Sequence, residues 1–402
     1  MDDMERQPDN NPNDFRQPVL KVLGLGGGGG NAVDRMIELG LEGVDFIVAN
    51  TDAQALASSQ APTKVQLGPD LTRGLGAGGD HNVGFQAAQE SRDALKAALS
   101  GADMVFLTAG MGGGTGTGAI AVAGEVARSI GAVTIGIVTT PFNFEMCRRQ
   151  KNAQEGLARL QPHTDTLIAI PNDRLLYAVA EDIPLDVAFR LADDVLRQAV
   201  QGIAELANRP GLINVDFAHI RNMMRAGGGA LMAIGHGKGD EKVFHAIQNA
   251  LSHPLLESVS LEDAKGVIAS FSGADDLSLF EVSEAIGHIN GMTNADVDVV
   301  MGVSHDERMR ERAQVILIVT GLGAKPLADV LHGSEKVQPQ AHDMDVYDEM
   351  DALPDTEPIA MDIEPELEGA YQRPAPQGPA INDLDVPTFL RKRVQQNQNL
   401  RD

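Results

Sequence analysis

A chain of 402 residues is long enough for two domains with their own cores, and 43% hydrophobic content excludes a wholly disordered polypeptide. A formal charge of −25 repels phosphodiester backbones, so nucleic acid is not an expected partner. Apolar runs such as 315–319 fall far short of the roughly 20 residues of a membrane span, so no direct membrane insertion is expected.

The first 18 residues are acidic and polar, without the basic start and apolar stretch of a secretory signal. The single cysteine, Cys147, has no partner for an internal disulfide, and both features fit a reducing cytoplasm. No function attaches to Cys147 itself.

Charge and glycine are distributed unevenly. Residues 334–372 hold twelve acidic side chains and one basic one, and eight of the 20 prolines lie in 334–402. Such a segment cannot bury enough surface to fold alone and reads as a self-repelling linker. Of 43 glycines, 22 fall in four windows, at 24–30, 74–79, 110–118 and 227–239.

In chain order, residues 19–25 read as a buried strand, followed by five consecutive glycines and a helical pattern over 31–41. Strand patterns recur at 45–49, 104–109, 133–138 and 166–170, alternating with helices such as 119–130. That alternation predicts a parallel α/β sheet with helices on both faces, whose ligands sit beyond the carboxyl ends of the strands. Pro184 opens a long helix that runs to about Asn208, with Leu185, Ala188, Leu191, Val195, Ala199, Ile203 and Leu206 along one face. About 25 residues span roughly 37 Å, enough to bridge two domains. Strands at 230–234, 266–271, 297–301 and 315–322 then describe a smaller domain ending near Lys325.

Glycines between a strand and a helix let backbone N–H groups converge on an anion at the helix N-terminus. The first loop, Gly24-Leu25-Gly26-Gly27-Gly28-Gly29, also satisfies G-x-G-x-x-G, and Asp45 and Asp52 lie at plausible ribose-binding distances. On this loop alone, an NAD-dependent oxidoreductase remains a rival. The second loop, Gly-Gly-Gly-Thr-Gly-Thr-Gly at 112–118, supplies another anion cradle after a different strand. A dinucleotide needs one such fingerprint, whereas a nucleoside triphosphate engages both. Neither window contains Gly-Lys-Ser/Thr, which excludes a Walker P-loop there.

The second loop resembles the signature of the tubulin-like GTPases. With GGGGGNAV at 26–33, NTDAQAL at 50–56, LGPDLTRGLGAGG at 67–79 and PFNFE at 141–145, the chain resembles the FtsZ family of bacterial cell-division proteins from about Val19 to Leu322. The resemblance implies a parallel-sheet GTP-binding domain at 19–183, a central helix at 184–208 and a smaller α+β GTPase-activating domain at 209–325. Disordered segments flank them at 1–18, at 326–384 and at 394–402. It also implies GTP and GDP as ligands, Mg2+ accompanying the nucleotide, no separate protein metal site, and head-to-tail protofilaments at the mid-cell division site.

Carried over residue by residue, Gly27, Gly28, Gly29, Gly30 and Asn31 would hold the α- and β-phosphates, with Gly114, Thr115 and Gly116 on the phosphate chain. Ala77 and Gly78 would close over the γ-phosphate. Glu145 and Arg149, four apart and so on one face of a helix, would meet ribose and phosphate. Asn172 and Asp193 would read the guanine edge beside Phe189, with Asp194 as the alternative carboxylate.

The family's hydrolysis loop reads Asn-x-Asp-x-x-Asp and acts on the nucleotide of the next subunit. Here it reads Asn214-Val215-Asp216-Phe217-Ala218-His219. Asp216 is present and His219 replaces the second acid. A carboxylate only accepts hydrogen bonds, whereas neutral imidazole offers one donor and one acceptor, so retuned, slower hydrolysis is expected; the other readings are an interface filler at 219 and a GTP-binding scaffold with little turnover. The segment Asp385-Val386-Pro387-Thr388-Phe389-Leu390-Arg391-Lys392-Arg393 resembles the family's peptide for membrane adaptors and division regulators.

Overall fold

The computed structural model describes residues 17–145, 147–176, 184–208, 215–225, 228–253, 256 and 261–322. The peptide at 385–393, the acidic linker and Asn214 lie outside the described residues.

The first half runs β1 (Leu20–Leu25), α1 (Gly26–Glu38), β2 (Asp45–Asn50), α2 (Ala53–Ser58), β3 (Thr63–Gln66), α3 (Pro69–Thr72), α4 (His81–Glu90) and α5 (Arg92–Leu99). It continues with β4 (Met104–Gly110), α6 (Thr115–Ser129), β5 (Val133–Thr140), α7 (Cys147–Leu160), β6 (Thr166–Pro171) and α8 (Asn172–Leu175). The long helix α9 (Leu185–Asn208) leads to α10 (Phe217–Arg225), β7 (Gly228–Lys238), α11 (Lys242–Leu251), β8 (Gly266–Gly273), α12 (Leu279–Met292), β9 (Asp298–His305) and β10 (Arg312–Thr320).

The ten strands among the described residues form one sheet, in the order β3-β2-β1-β4-β5-β6-β7-β10-β8-β9. The first six are parallel, and β10 is antiparallel to both β7 and β8. The two halves are joined by the short parallel pairing of β6 with β7 at Thr166↔Gly228, Leu167↔Gly229 and Ile168↔Ala230.

Strand periodicity divides the core into layers. Met104 and Phe106 of β4 face α1 and α9, while Val105, Leu107 and Ala109 face the layer of α5 and α6. In β10, Ile316 and Ile318 join the α9 layer, and Val315, Leu317 and Val319 pack with α11 and α12. A single apolar layer, from Val22 to Ile318, therefore runs beneath α9 through both halves.

Within α9, Ala188, Val195, Ala199 and Ile203 of the expected stripe are buried, joined by Ala192, Leu196 and Val200; Leu185 at its start is exposed. A Cβ on Gly202 would lie 3.1 Å from Ile316 Cδ1, so α9 packs close to β10. Two differences from the sequence reading stand out. The glycine runs are themselves the first turns of α1 and α6, and the edge strand β3 escapes the sequence pattern because its four residues show one buried side chain, Val65. Among the described residues, no helix is long and apolar enough to cross a membrane.

Candidate nucleotide-binding site

The strand order reverses between β1 and β4, so their carboxyl ends open the crevice where open α/β sheets bind ligands. α1 follows β1 without a linker, and α6 begins at Thr115 after Gly114. Neither helix has a side-chain cap or an acidic residue in its first turn. Their first-turn N–H groups and positive dipole ends are thus left for an anion. Neighbouring helices differ. Asp52 caps α2 by accepting from the Gln54 and Ala55 N–H groups at 2.8 and 3.2 Å, and Asp80 caps α4 through the Asn82 N–H at 2.8 Å.

Three glycine windows meet there. Gly26, at φ +69°, approaches α6 so closely that a Cβ would sit 2.7 Å from the Gly116 nitrogen. A Cβ on Gly114 would sit 2.9 Å from Ala77 Cβ and 3.1 Å from the Gly79 nitrogen. Gly29 is buried against Thr108, whereas a Cβ on Gly27 or Gly30 would meet nothing within 4 Å. Gly27, Gly28, Asn31 and Gly78 are exposed, and Ala77 is buried. The Thr115 hydroxyl pairs with that of Thr51 at 2.6 Å, and Thr117 Oγ1 accepts the Gly112 N–H at 2.8 Å. Thr51 falls inside the 50–56 motif, yet nothing in its residue type marks it as the support for Thr115.

The second glycine loop leads on to an aromatic patch. A Cβ on Gly112 would lie 2.8 Å from the Arg149 carbonyl oxygen, placing the start of α7 beside that loop. Glu145 lies in a short turn before α7 rather than on the same helix; its carboxylate accepts the Phe142 N–H at 3.0 Å and pairs with Arg149. Phe142 and Phe144 stack with centroids 5.1 Å apart, and Phe189 meets both edge-on at 5.5 and 6.5 Å. Asp173 accepts the Asn143 N–H at 2.9 Å, and burial raises its carboxyl above the ordinary range.

Asn172 opens α8 as a buried residue whose Oδ1 has no hydrogen-bond partner among the described residues. Asp194 is committed to its own helix, accepting from Arg197 Nε and Gln198 Nε2, both at 2.6 Å. For Asp193 the main influence is burial, which raises its carboxyl to about 7; the Arg35 charge offsets part of that effect. The two candidate ribose acids are elsewhere engaged. Asp45 starts β2, at the end remote from the glycine turn, and Asp52 is the α2 cap.

Asp216 and His219 form a separate cluster. Asp216 caps α10 by accepting the Ala218 N–H at 2.9 Å, and its carbonyl accepts the His219 N–H at 2.9 Å. His219 Nε2 lies 2.6 Å from Asp298 Oδ2 at the start of β9. The far end of α10 holds the amino ends of the parallel strands. Arg225 Nη2 donates to the Gly131 carbonyl just before β5 at 3.3 Å, and Thr166 Oγ1, on the first residue of β6, donates to the Met224 carbonyl at 2.6 Å. Among the described residues, no group of three or more His, Cys, Asp or Glu side chains could hold a metal ion.

Family models match in the same order. Residues 19–180 match the GTPase domain of the Tubulin/FtsZ family, and residues 228–323 match the C-terminal domain of the FtsZ family. An empty FtsZ dimer from M. jannaschii is 41% identical with a TM-score of 0.75, over 78% of this chain and 90% of that one. A point mutant of FtsZ from M. jannaschii, with tyrosine in place of a tryptophan, is 42% identical with a TM-score of 0.73, over 76% of this chain and 91% of that one. A GTPγS-bound protofilament of CetZ2 from Haloferax volcanii shares the fold at 19% identity and a TM-score of 0.66, over 78% of this chain and 96% of that one. Two domain matches in the right order, with 41% identity across most of a solved FtsZ, show that the chain belongs to the FtsZ family of tubulin-like GTPases.

Proposed function

We propose that the protein is an assembly-dependent GTPase that polymerises head to tail and builds the division ring at mid-cell. One observation carries the head-to-tail reading. The glycine cradle lies at the carboxyl ends of the parallel strands, and α10, with Asp216 at its start, lies at their amino ends. Eight residues of β5 alone separate such ends by roughly 25 Å. Asp216 therefore cannot reach the phosphates held by its own chain, whereas a second copy stacked on the cradle can present its Asp216 there. The dimer form of the FtsZ structure supports self-association. The greater identity to FtsZ than to CetZ2 favours division as the setting.

In this reading Gly27, Gly28, Gly29, Gly30 and Asn31 hold the α- and β-phosphates, Gly114, Thr115 and Gly116 hold the phosphate chain, and Ala77 and Gly78 cover its end. Glu145 and Arg149 meet ribose and phosphate. Asn172, with its unpartnered acceptor, and Asp193 take the donor edge of guanine beside Phe189. Asp216, with Asn214 and His219, positions the attacking water on the neighbour's γ-phosphate. Hydrolysis of this kind depends on positioning and charge rather than on covalent chemistry by the protein. Mg2+ would neutralise phosphate charge; the hydroxyls and backbone groups of the cradle suit an ion held mainly by phosphate oxygens and water. The segment at 385–393 is proposed to recruit membrane adaptors, and removing 334–402 should abolish that recruitment while sparing GTP binding.

Phosphate release with GTP and Mg2+ against protein concentration tests the proposal. Turnover per subunit should rise above a threshold concentration, and a chain lacking the Asp216 carboxylate should bind GTP but turn it over at under a tenth of the rate. Turnover per subunit independent of concentration would refute catalysis at subunit contacts.

A further inference from the structure

The His219–Asp298 pair gives the replaced position a chemistry of its own. His219 stands one turn into α10, three residues after Asp216, and Asp298 opens β9 on a different element. Their 2.6 Å contact joins segments 79 residues apart in the chain, and both side chains are about half-exposed, at 46% and 52%. A carboxylate can only accept, so the Nε2 atom facing Asp298 carries the proton. The other nitrogen, Nδ1, is then left as an acceptor in the neutral ring. Asp298 faces the imidazole from β9, and Asp216 stands one turn back on its own helix.

We propose that Asp298 is a positioning residue for hydrolysis: it fixes the tautomer of His219 so that Nδ1 accepts a proton from the water that attacks the next subunit's GTP. This inference rests on the reading that α10 serves a neighbour's nucleotide. The water oxygen bonds to the γ-phosphorus, and the bond from that phosphorus to the β–γ bridging oxygen breaks. GDP leaves with the electron pair, and the water proton passes to Nδ1 and then to solvent. Asp298 orients the ring and balances its transient positive charge, as the carboxylate does in serine-hydrolase triads. A carboxylate from β9 thus supplies the negative charge that position 219 itself lacks.

The test uses the full chain with GTP and Mg2+ and five variants. Asp298→Asn can donate to the ring and stabilise the opposite tautomer; it should lower turnover about tenfold at unchanged GTP affinity and unchanged assembly threshold. Asp298→Glu should recover part of the loss. In a His219→Asp background, Asp298→Asn should cost nothing, because no ring remains to orient. An equal loss in both backgrounds, or wild-type turnover for Asp298→Asn, overturns the inference. Ring nitrogen resonances of GDP-bound, unassembled chain at pH 7.5, assigned with His219→Asp, should report the Nε2–H form of His219; the Nδ1–H form would also overturn it. Asp216→Ala separates the two levels of the argument. If its turnover matches wild type, the role of α10 in hydrolysis fails; if it is inactive while Asp298→Asn is normal, only the role of Asp298 fails.

Discussion

Burial holds the Asp193 carboxyl at about 7, so near neutrality a large share of empty sites carries it protonated. In the proposed contact with Asp193 a guanine edge offers two N–H donors and favours the ionised form, so binding should release protons. Calorimetry of GDP binding in buffers of different ionisation enthalpy should detect that release near pH 7, with affinity falling as pH drops further. Asp193→Asn should abolish the release and weaken binding about 10- to 100-fold, the scale of a hydrogen bond to a charged group. The sign for stability is the opposite of that for a salt-bridged acid. A raised carboxyl favours the folded state at low pH, and that contribution is lost as pH rises through the interval from about 4 to 7. The empty Asp193→Asn chain should therefore melt higher than wild type at pH 8. Glycines divide just as sharply. Gly27→Ala has open space around its new methyl and should leave folding intact, or stabilise α1 by up to about 1 kcal/mol, while obstructing the phosphates. Gly29→Ala drives a Cβ to within 2.3 Å of the Thr108 carbonyl oxygen and should destabilise the fold by several degrees in Tm. Loss of nucleotide affinity at unchanged Tm in Gly27→Ala, against a lowered Tm in Gly29→Ala, is the expected result.

At the scale of elements, the long helix and the strands of both halves are legible in the sequence because burial imposes their periodicity. Residues 184–208 are read within one residue of α9, and 45–49, 104–109 and 166–170 fall inside the observed strands. Helix starts are not legible. Five glycines in a row read as a loop because glycine disfavours helix interiors, yet Gly26–Gly30 is the first turn of α1. Close approach decides the matter, since α1 can sit against β4 and α6 only where no Cβ intervenes at Gly29 and Gly26. The same limit applies to the site. Motifs identify which loops converge, but they do not reveal that Asp194 is bound within its own helix while Asp193 is not, or that His219 meets Asp298. Those facts depend on side-chain directions and on residues distant in the chain. The packing of α9 offers a further check. Ile203 is fully buried in the layer shared by both halves, so Ile203→Ala should cost about 2–5 kcal/mol in a denaturant titration.

Across the molecule, one sheet and one apolar layer link the cradle to the C-terminal half, and partly buried histidines lie in that half. Burial, together with the charges of His236 and Arg174, holds His253 at about 4, and burial lowers His236 as well. An unfolded chain binds protons on these rings at higher pH than the folded one does. The contribution of these rings to stability should therefore be full above about pH 6.5 and fall as pH drops toward 4, opposite in sign to that of Asp193, with His253 alone accounting for roughly 3 kcal/mol. Denaturant titrations of wild type and His253→Gln at pH 7.5 and pH 5 should show a smaller difference for the variant.

The placement of cradle and α10 at opposite ends of the same strands has a consequence for any filament built head to tail. Such a contact is heterologous, joining two unlike surfaces, and successive copies all point the same way. The filament then has direction. In the proposed assembly one tip always displays an open cradle, whose nucleotide can exchange with solvent, and the other always displays an α10 with no nucleotide to act on. Every interior nucleotide is covered by a neighbour. Renewal of GTP is confined to the open tip and to free subunits, so the age of a subunit within the filament is recorded in the nucleotide it holds.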